Sequence, residues 1–369
     1  MTIVTPFGKC GAAYEERCGP SNGNRKCDFG CCSQYGYCGT SSAYCGVGCL
    51  SGYGSTCSPV IVDKCLDVMN LAKSLSIDTK NPKYYAKLSD CCTATGITCT
   101  NNEVTSINWS EAGYGISFPV DGKIANLPPK LTTFTLIIAD ADQVQLPTSL
   151  PSTLQSLTVQ KIVFTASDPH QDLPDMSSST LTNLFLTNVL LKKIDSTLLP
   201  KTLINLYIDS ADTIETQIPS FSDFDKLKRL SLINNKLTGS FPTLPTGLTY
   251  LNLGDNGITD SIPSNLPAGI RELQLNRSGL TGQIPSTLPG PVVQLPASAV
   301  VVLIQQNQLS GTLTLDTQNL QVLRIESNMF TDVFVTNVNF LNSCDISQNP
   351  LLGKASISNL SKCAQNALF

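Results

Sequence analysis

Residues 31 to 45 read Cys-Cys-Ser-Gln-Tyr-Gly-Tyr-Cys-Gly-Thr-Ser-Ser-Ala-Tyr-Cys. The stretch holds no aliphatic side chain larger than that of Ala43, so it has nothing from which to build a hydrophobic core. Such a segment is held by disulfides, and its tyrosines stay at the surface. Rings fixed in the open beside the Ser33 hydroxyl are the ingredients of a sugar site. Their faces stack on the apolar side of a pyranose, and the hydroxyl meets its polar groups.

Working outward, the 15 cysteines of the 369-residue chain fall into three groups. Nine lie between Cys10 and Cys57, four between Cys65 and Cys99, and two near the end, at Cys344 and Cys363. The groups mark modules: 8–57 as a disulfide-rich domain, 58–64 as a linker (Ser-Pro-Val-Ile-Val-Asp-Lys), and 65–369 as a second, larger domain. Cys65, Val68, Ala72 and Leu75 share one helical face, with Asp63 placed to cap it, so a helix opens the second domain. Val104, Ile107 and Trp109 then give the first strand-like alternation, with Trp109 pointing into the core. The cysteine load and a net charge of -4 point to an oxidising, extracellular setting and away from nucleic acid. No apolar run reaches the roughly 18 residues that span a bilayer. The start, Met-Thr-Ile-Val-Thr-Pro-Phe-Gly-Lys-Cys, lacks the pattern of a secretory signal, so the chain reads as a mature or truncated form of a secreted protein.

From Leu131 onward the chain repeats. The phrase LxxLxLxxNxL is clearest at Leu227, Leu230, Leu232, Asn235 and Leu237, and again at Leu248, Leu251, Leu253, Asn256 and Ile258. Weaker copies begin at Leu131, Leu154, Leu181, Leu203, Ile270, Ala299, Leu320 and Leu341. A leucine-rich repeat follows from this spacing, because one unit cannot bury its own apolar strand and stacked units can. Asn235, Asn256, Asn307, Asn328 and Asn349 stand where the chain leaves each strand, and a structural role for their amides is expected. Between Leu131 and Lys226 the copies are irregular and often punctuated by Leu-Pro, which leaves their register open.

Over about Cys18 to Cys57 the chain resembles the hevein-like chitin-binding module of plant lectins and fungal wall enzymes. The resemblance implies that Ser33, Tyr35, Tyr37 and Tyr44 hold chitin or N-acetylglucosamine oligomers. It also implies the pairs Cys18–Cys32, Cys27–Cys38, Cys31–Cys45 and Cys49–Cys57, leaving Cys10 over. The segments at Leu237–Pro242, Ile258–Pro263 and Leu280–Pro285 resemble the plant-type leucine-rich repeats of receptor ectodomains and polygalacturonase inhibitor proteins. That likeness implies an N-terminal cap over 65–103, repeats over 104–351 and a C-terminal cap over 341–369. It implies cap pairs Cys65–Cys91 and Cys92–Cys99, with Cys344–Cys363 closing the end. The expected architecture is therefore a small disulfide-rich hevein-like domain followed by a right-handed α/β leucine-rich-repeat solenoid with a parallel sheet on its concave face.

Enzyme chemistry finds little support in the residues. There is no GxSxG, and His170 is the only histidine, in a polar stretch where a solvent-facing role is expected. The pairs Asp140 with Asp142 and Asp223 with Asp225 lack the setting of a glycosidase dyad, and the second is read as capping a turn before Leu227. Neither a metal site nor a cofactor is expected. The concave face should display Asn183, Phe185, Asn205, Tyr207, Arg229, Ser231, Tyr250, Asn252, Glu272, Gln274, Arg324 and Glu326, with Phe185, Tyr207 and Tyr250 as anchors for a protein or glycan partner. Sequons at Asn108, Asn276 and Asn359 fit a secreted glycoprotein, the first two being read as lying on the concave side. The reading is a secreted or wall-associated, non-enzymatic chitin-binding protein with a repeat-domain interaction surface. The runner-up is recognition or inhibition of a secreted wall-degrading enzyme, with chitin binding serving to localise it.

Overall fold

The apolar residue that opens each of the ten repeats is fully buried in the computed structural model: Leu131, Leu154, Leu181, Leu203, Leu227, Leu248, Ile270, Ala299, Leu320 and Leu341. A strand begins two residues after each one. The structure describes residues 17–28, 30–39, 44, 49–54, 65–80, 82–110, 122–138, 144–161, 170–213, 217–283, 298–316, 319–336, 341–350, 356–357 and 363–364. The expected linker 58–64, with Asp63, lies outside them, as do Cys10, Cys45 and Cys57. The chain divides into two compact units, Met1–Leu66 and Asp67–Phe369.

The larger unit is organised by a 13-stranded sheet in which each strand pairs with the next in sequence. It begins with β1 (Ile97–Thr100) and β2 (Glu103–Trp109), the one antiparallel pair of this sheet. Then come β3 (Thr133–Ile138), β4 (Ser156–Lys161), β5 (Asn183–Thr187), β6 (Asn205–Asp209), β7 (Arg229–Ser231) and β8 (Tyr250–Asn252). The series ends with β9 (Glu272–Gln274), β10 (Val301–Leu303), β11 (Val322–Arg324), β12 (Ser343–Asp345) and β13 (Cys363–Ala364). One in-register row, Phe134, Leu157, Leu184, Leu206, Leu230, Leu251, Leu273, Val302 and Leu323, runs through the interior. Each of these side chains is fully buried, and each contributes roughly 1.5–3 kcal/mol by leaving water. The register continues unbroken through the irregular copies, because Leu-Pro punctuation alters the return segments and not the strands.

The return segments are turns and strands, such as Gln308–Asp316 beside Met329–Thr336. Prolines close to the Leu-Pro turns deny those segments the backbone donors that a helix needs. Beyond the N-terminal cap, the helical structure among the described residues is the 3-10 turn Ser196–Leu198. In the cap, helix α1 (Leu66–Ser74) buries Val68, Leu71 and Ala72. Trp109 is buried, and its Nε1 donates to the Tyr84 hydroxyl at 2.9 Å, which donates in turn to the Thr95 carbonyl at 2.7 Å. Cys92 is bonded to Cys99 at one end, and Cys344 to its register partner Cys363 at the other. Cys65 and Cys91 are also disulfide-bonded.

A ladder of buried amides ties the turns together. Asn256 Oδ1 accepts from the backbone N–H of Asn235 at 3.1 Å and of Leu237 at 2.9 Å, while its Nδ2 donates to the carbonyls of Leu232 and Leu253 at 2.9 Å each. Asn307, Asn328 and Asn349 repeat the pattern. Before each stands a residue in the left-handed region: Asn234, Asp255, Gln306, Ser327 and Gln348, with φ between 55° and 59°. In the intervening repeat Ser278 fills the ladder position, its Oγ donating to the Leu253 carbonyl at 2.8 Å.

Candidate functional site

In the small unit the cysteines are the core. Cys18, Cys27, Cys32 and Cys38 are buried together with Leu50 and Tyr53 packed against them, and the bonds are Cys18–Cys32 and Cys27–Cys38. Cys31 and Cys49 are also disulfide-bonded. Strands Cys31–Cys32 and Cys38–Gly39 pair antiparallel and hold the loop between them. Within it Gly36 N donates to the Ser33 carbonyl and Ser33 N to the Tyr37 carbonyl, both at 2.9 Å. Gly36 has φ +77°, and a Cβ there would stand 2.6 Å from Asn22 Nδ2, so only glycine closes this turn against its neighbour.

The turn throws the tyrosines outward. Tyr35 is 76% exposed and Tyr37 40%, whereas Ser33 is only 4% exposed. Ser33 Oγ accepts from Tyr37 N at 3.3 Å, which leaves its proton to donate to a ligand carbonyl. Arg17 lies with its guanidinium carbon 4.9 Å from the centre of the Tyr37 ring. Tyr44 is half-buried over Gly39, where a Cβ would stand 2.4 Å from the tyrosine ring. Rings on a disulfide frame beside a hydroxyl donor can stack a pyranose and fix its polar edge, with no proton transfer or metal involved. The sulfurs of Cys18, Cys27, Cys38, Cys91, Cys92 and Cys99, though close enough to hold an ion, are all in disulfides.

On the solenoid the outward residues of the sheet form two long rows and a short third one, Ile137, Gln160, Thr187 and Asp209 on β3 to β6. Ser106, Thr133, Ser156, Asn183, Asn205, Arg229, Tyr250 and Glu272 make one. Asn108, Thr135, Thr158, Phe185, Tyr207, Ser231, Asn252 and Gln274 make the other. Phe185 stacks on Tyr207 at 5.0 Å between ring centres, and Tyr207 on Tyr250 at 5.9 Å. Arg229 binds the group: its Nε donates to the Tyr207 hydroxyl at 2.6 Å, its guanidinium carbon lies 4.1 Å from the centre of the Tyr250 ring, and Glu272 is 3.8 Å away. The three aromatics do come together, but Tyr250 is only 9% exposed, so it is a foundation of the stack and not a free anchor. Burial also pushes the Tyr250 hydroxyl above the usual phenol range. Arg324 and Glu326 lie further along, 3.7 Å apart, with Asp345 3.7 Å from the same guanidinium.

Asn276 and His170 are less exposed than their segments suggest. Asn276 is buried, its Nδ2 donating to Asp255 Oδ2 at 3.4 Å and its amide lying against Gly254. Asn108 is exposed on β2, while Asn359 lies outside the described residues, as do Asp140 and Asp142. Asp223 pairs with Lys201 of the preceding repeat at 2.9 Å, which holds its carboxyl below the usual range. His170 is half-buried, with Nε2 2.7 Å from the Asp212 carbonyl, and lines a cavity of about 380 Å³ with Lys123, buried Lys161 and Gln171. Lys161 occupies an inward strand position, opposite the buried Ile138, that the alternation of the sequence would give to an aliphatic residue.

Comparison with known proteins bears on both units. Residues 17–57 match the profile of the chitin recognition protein family, and residues 247–268 match that of the leucine-rich repeat. The chain joins a chitin-recognition module to a leucine-rich-repeat solenoid. Over 58 residues it is 51% identical to Chitinase 1 of Oryza sativa subsp. japonica, covering 15% of this chain and 18% of that protein. Over 41 residues it is 51% identical to the root-specific lectin of Hordeum vulgare, covering 11% and 19%. It is 44% identical over 57 residues to AA9 family lytic polysaccharide monooxygenase H of Botryotinia fuckeliana, covering 14% and 13%. The chain thus spans less than a fifth of the length of these relatives. The ectodomain of the receptor kinase GASSHO1/SCHENGEN3 from Arabidopsis thaliana superposes with a TM-score of 0.50 at 17% identity, covering 78% of this chain and 32% of that one, a likeness of fold. No helix among the described residues is long and apolar enough to cross a membrane.

Proposed function

We propose that the protein is an extracellular, wall-associated and non-enzymatic chitin binder whose small unit grips N-acetylglucosamine oligomers through Tyr35, Tyr37, Tyr44 and Ser33. The observation that carries this reading is the placement of two exposed tyrosines on a disulfide frame beside a serine hydroxyl with a proton to donate. The rings stack on the apolar sugar faces, and Ser33 donates to an acetamide carbonyl. Each stacked ring contributes on the order of 1 kcal/mol, so a single site is weak and binding to a polymer gains from repeated capture. The solenoid serves as a recognition surface. A second reading, recognition or inhibition of a secreted wall-degrading enzyme, is favoured by the bonded pair Arg229 and Tyr207, residue types common at the centres of protein interfaces.

The full chain is expected to sediment with insoluble chitin and to be released by N-acetylglucosamine oligomers. Tyr35→Ala together with Tyr37→Ala should weaken capture by roughly tenfold or more. Unchanged capture by the correctly folded double variant would defeat the assignment, and release of soluble oligosaccharides from chitin by the purified chain would defeat the non-enzymatic part.

A further inference from the structure

The concave sheet changes character half-way along. On β2 to β6 the first two outward rows carry five hydroxyl residues, three asparagines, Phe185 and Tyr207, and the third carries Ile137, Gln160, Thr187 and one ionisable group, the Asp209 carboxyl, which accepts from the Ser231 hydroxyl at 2.6 Å. From β7 onward the same rows hold Arg229, Glu272, Arg324 and Asp345. Phe185 stands at the inner edge of the β2 to β6 field. One face of its ring is covered by Tyr207 at 5.0 Å. On the other side its register partner is Thr158, followed by Thr135 on β3, side chains too short to cover a ring.

We propose that this half of the concave face binds an uncharged oligosaccharide, one sugar ring standing over Thr158 and stacking on the open face of Phe185. The proposal rests on the reading of the concave side as a recognition surface, and it names the ligand class. A pyranose has an apolar C–H face and a rim of hydroxyls that both donate and accept. The apolar face meets Phe185, and the rim meets threonine hydroxyls and the amides of Asn183 and Asn205, which can serve in either sense. Asn183 and Asn205 are already aligned, Nδ2 of the second donating to Oδ1 of the first at 2.6 Å. Asp209 is engaged by the Ser231 hydroxyl and Arg229 by Tyr207, Tyr250 and Glu272, so neither is set to pair with an acidic sugar or a charged peptide at Phe185. A chain that carries a chitin-recognition module meets neutral polysaccharide first, so such a ligand is present at high local concentration once the module has docked.

The test uses the full chain carrying Tyr35→Ala and Tyr37→Ala, produced without N-glycosylation, with calorimetry against three probes: the N-acetylglucosamine hexamer, cellohexaose and hexagalacturonate. At least one neutral hexamer should still bind, and the acidic one should not. Adding Phe185→Ala should weaken that residual binding about fivefold or more. Because Phe185→Ala also disturbs the Tyr207 stack, Thr158→Trp supplies an independent arm: it fills the space before the ring and should abolish binding, while Arg324→Ala leaves it unchanged. The proposal is overturned if neither neutral hexamer binds, if hexagalacturonate binds better, if binding ignores both Phe185→Ala and Thr158→Trp, or if displayed peptides and not sugars are retained at Phe185. Failure of the small unit is read separately, from capture of the unsubstituted chain on insoluble chitin.

Discussion

Aromatic side chains have opposite fates in the two units. In the small one the core is made of half-cystines with Leu50 and Tyr53 packed on it, and Tyr35 and Tyr37 stand in solvent. In the large one the leucine rows supply the core, yet its concave aromatics lean on one another because parallel strands set equivalent positions roughly 4.8 Å apart. The difference teaches that exposure of an aromatic depends on its neighbours' spacing as much as on who builds the core. A turn isolates a ring; a ladder stacks it.

The strongest way to break this comparison is reduction. Disulfide loss typically costs a small domain about 2–5 kcal/mol, enough to unfold it, whereas the solenoid keeps its buried leucines. Amide hydrogen exchange on the reduced full chain should show protection lost over residues 17–54 and kept over β3 to β12; equal loss in both would refute the assignment of the two cores. Next in size, Asn256→Ala strips partners from two N–H groups and three carbonyls and should lower solenoid stability by roughly 2–3 kcal/mol, read from the denaturation midpoint, with chitin capture untouched.

Two smaller effects sharpen the contrast. Tyr250→Ala should cost about 1–3 kcal/mol because the ring is buried under Arg229, while Tyr35→Ala should leave the melting temperature unchanged. Equal shifts for the two would show that the stack is not structural. Asp209 gives the smallest effect. Burial raises its pKa above the ordinary 3.8, with the Ser231 hydroxyl, 2.6 Å away, working in the opposite direction. A raised carboxyl holds its proton more tightly in the folded state, so its ionisation destabilises the fold above that range and not below it. Asp209→Asn keeps the acceptor for Ser231 and should raise the melting temperature at pH 7 by on the order of 2 °C, with no gain at a pH below the ordinary carboxylate value.

Much of this was legible in the residues because it is local. The cysteine spacing and the Tyr-Gly-Tyr turn placed Tyr35 and Tyr37 outside, and the opening apolar residue of each repeat located a strand even where Leu-Pro turns blurred the copies. What escaped depends on contacts distant in sequence. Tyr250 is covered by an arginine from another strand, and His170 meets the Asp212 carbonyl 42 residues away. Asn276 looked like a surface sequon, but it is buried against Gly254 and Asp255 of the preceding repeat, while Ser278 takes the ladder position. The lysine at position 161 carries no warning in its own segment.

The central claim is that sugar recognition begins at the disulfide-framed tyrosines. A nuclear magnetic resonance titration of the full chain with the N-acetylglucosamine trimer tests it most directly. The first signals to shift should be the ring protons of Tyr35, Tyr37 and Tyr44 and the amide of Ser33, all saturating with one dissociation constant. Saturation with those four residues unmoved would contradict it.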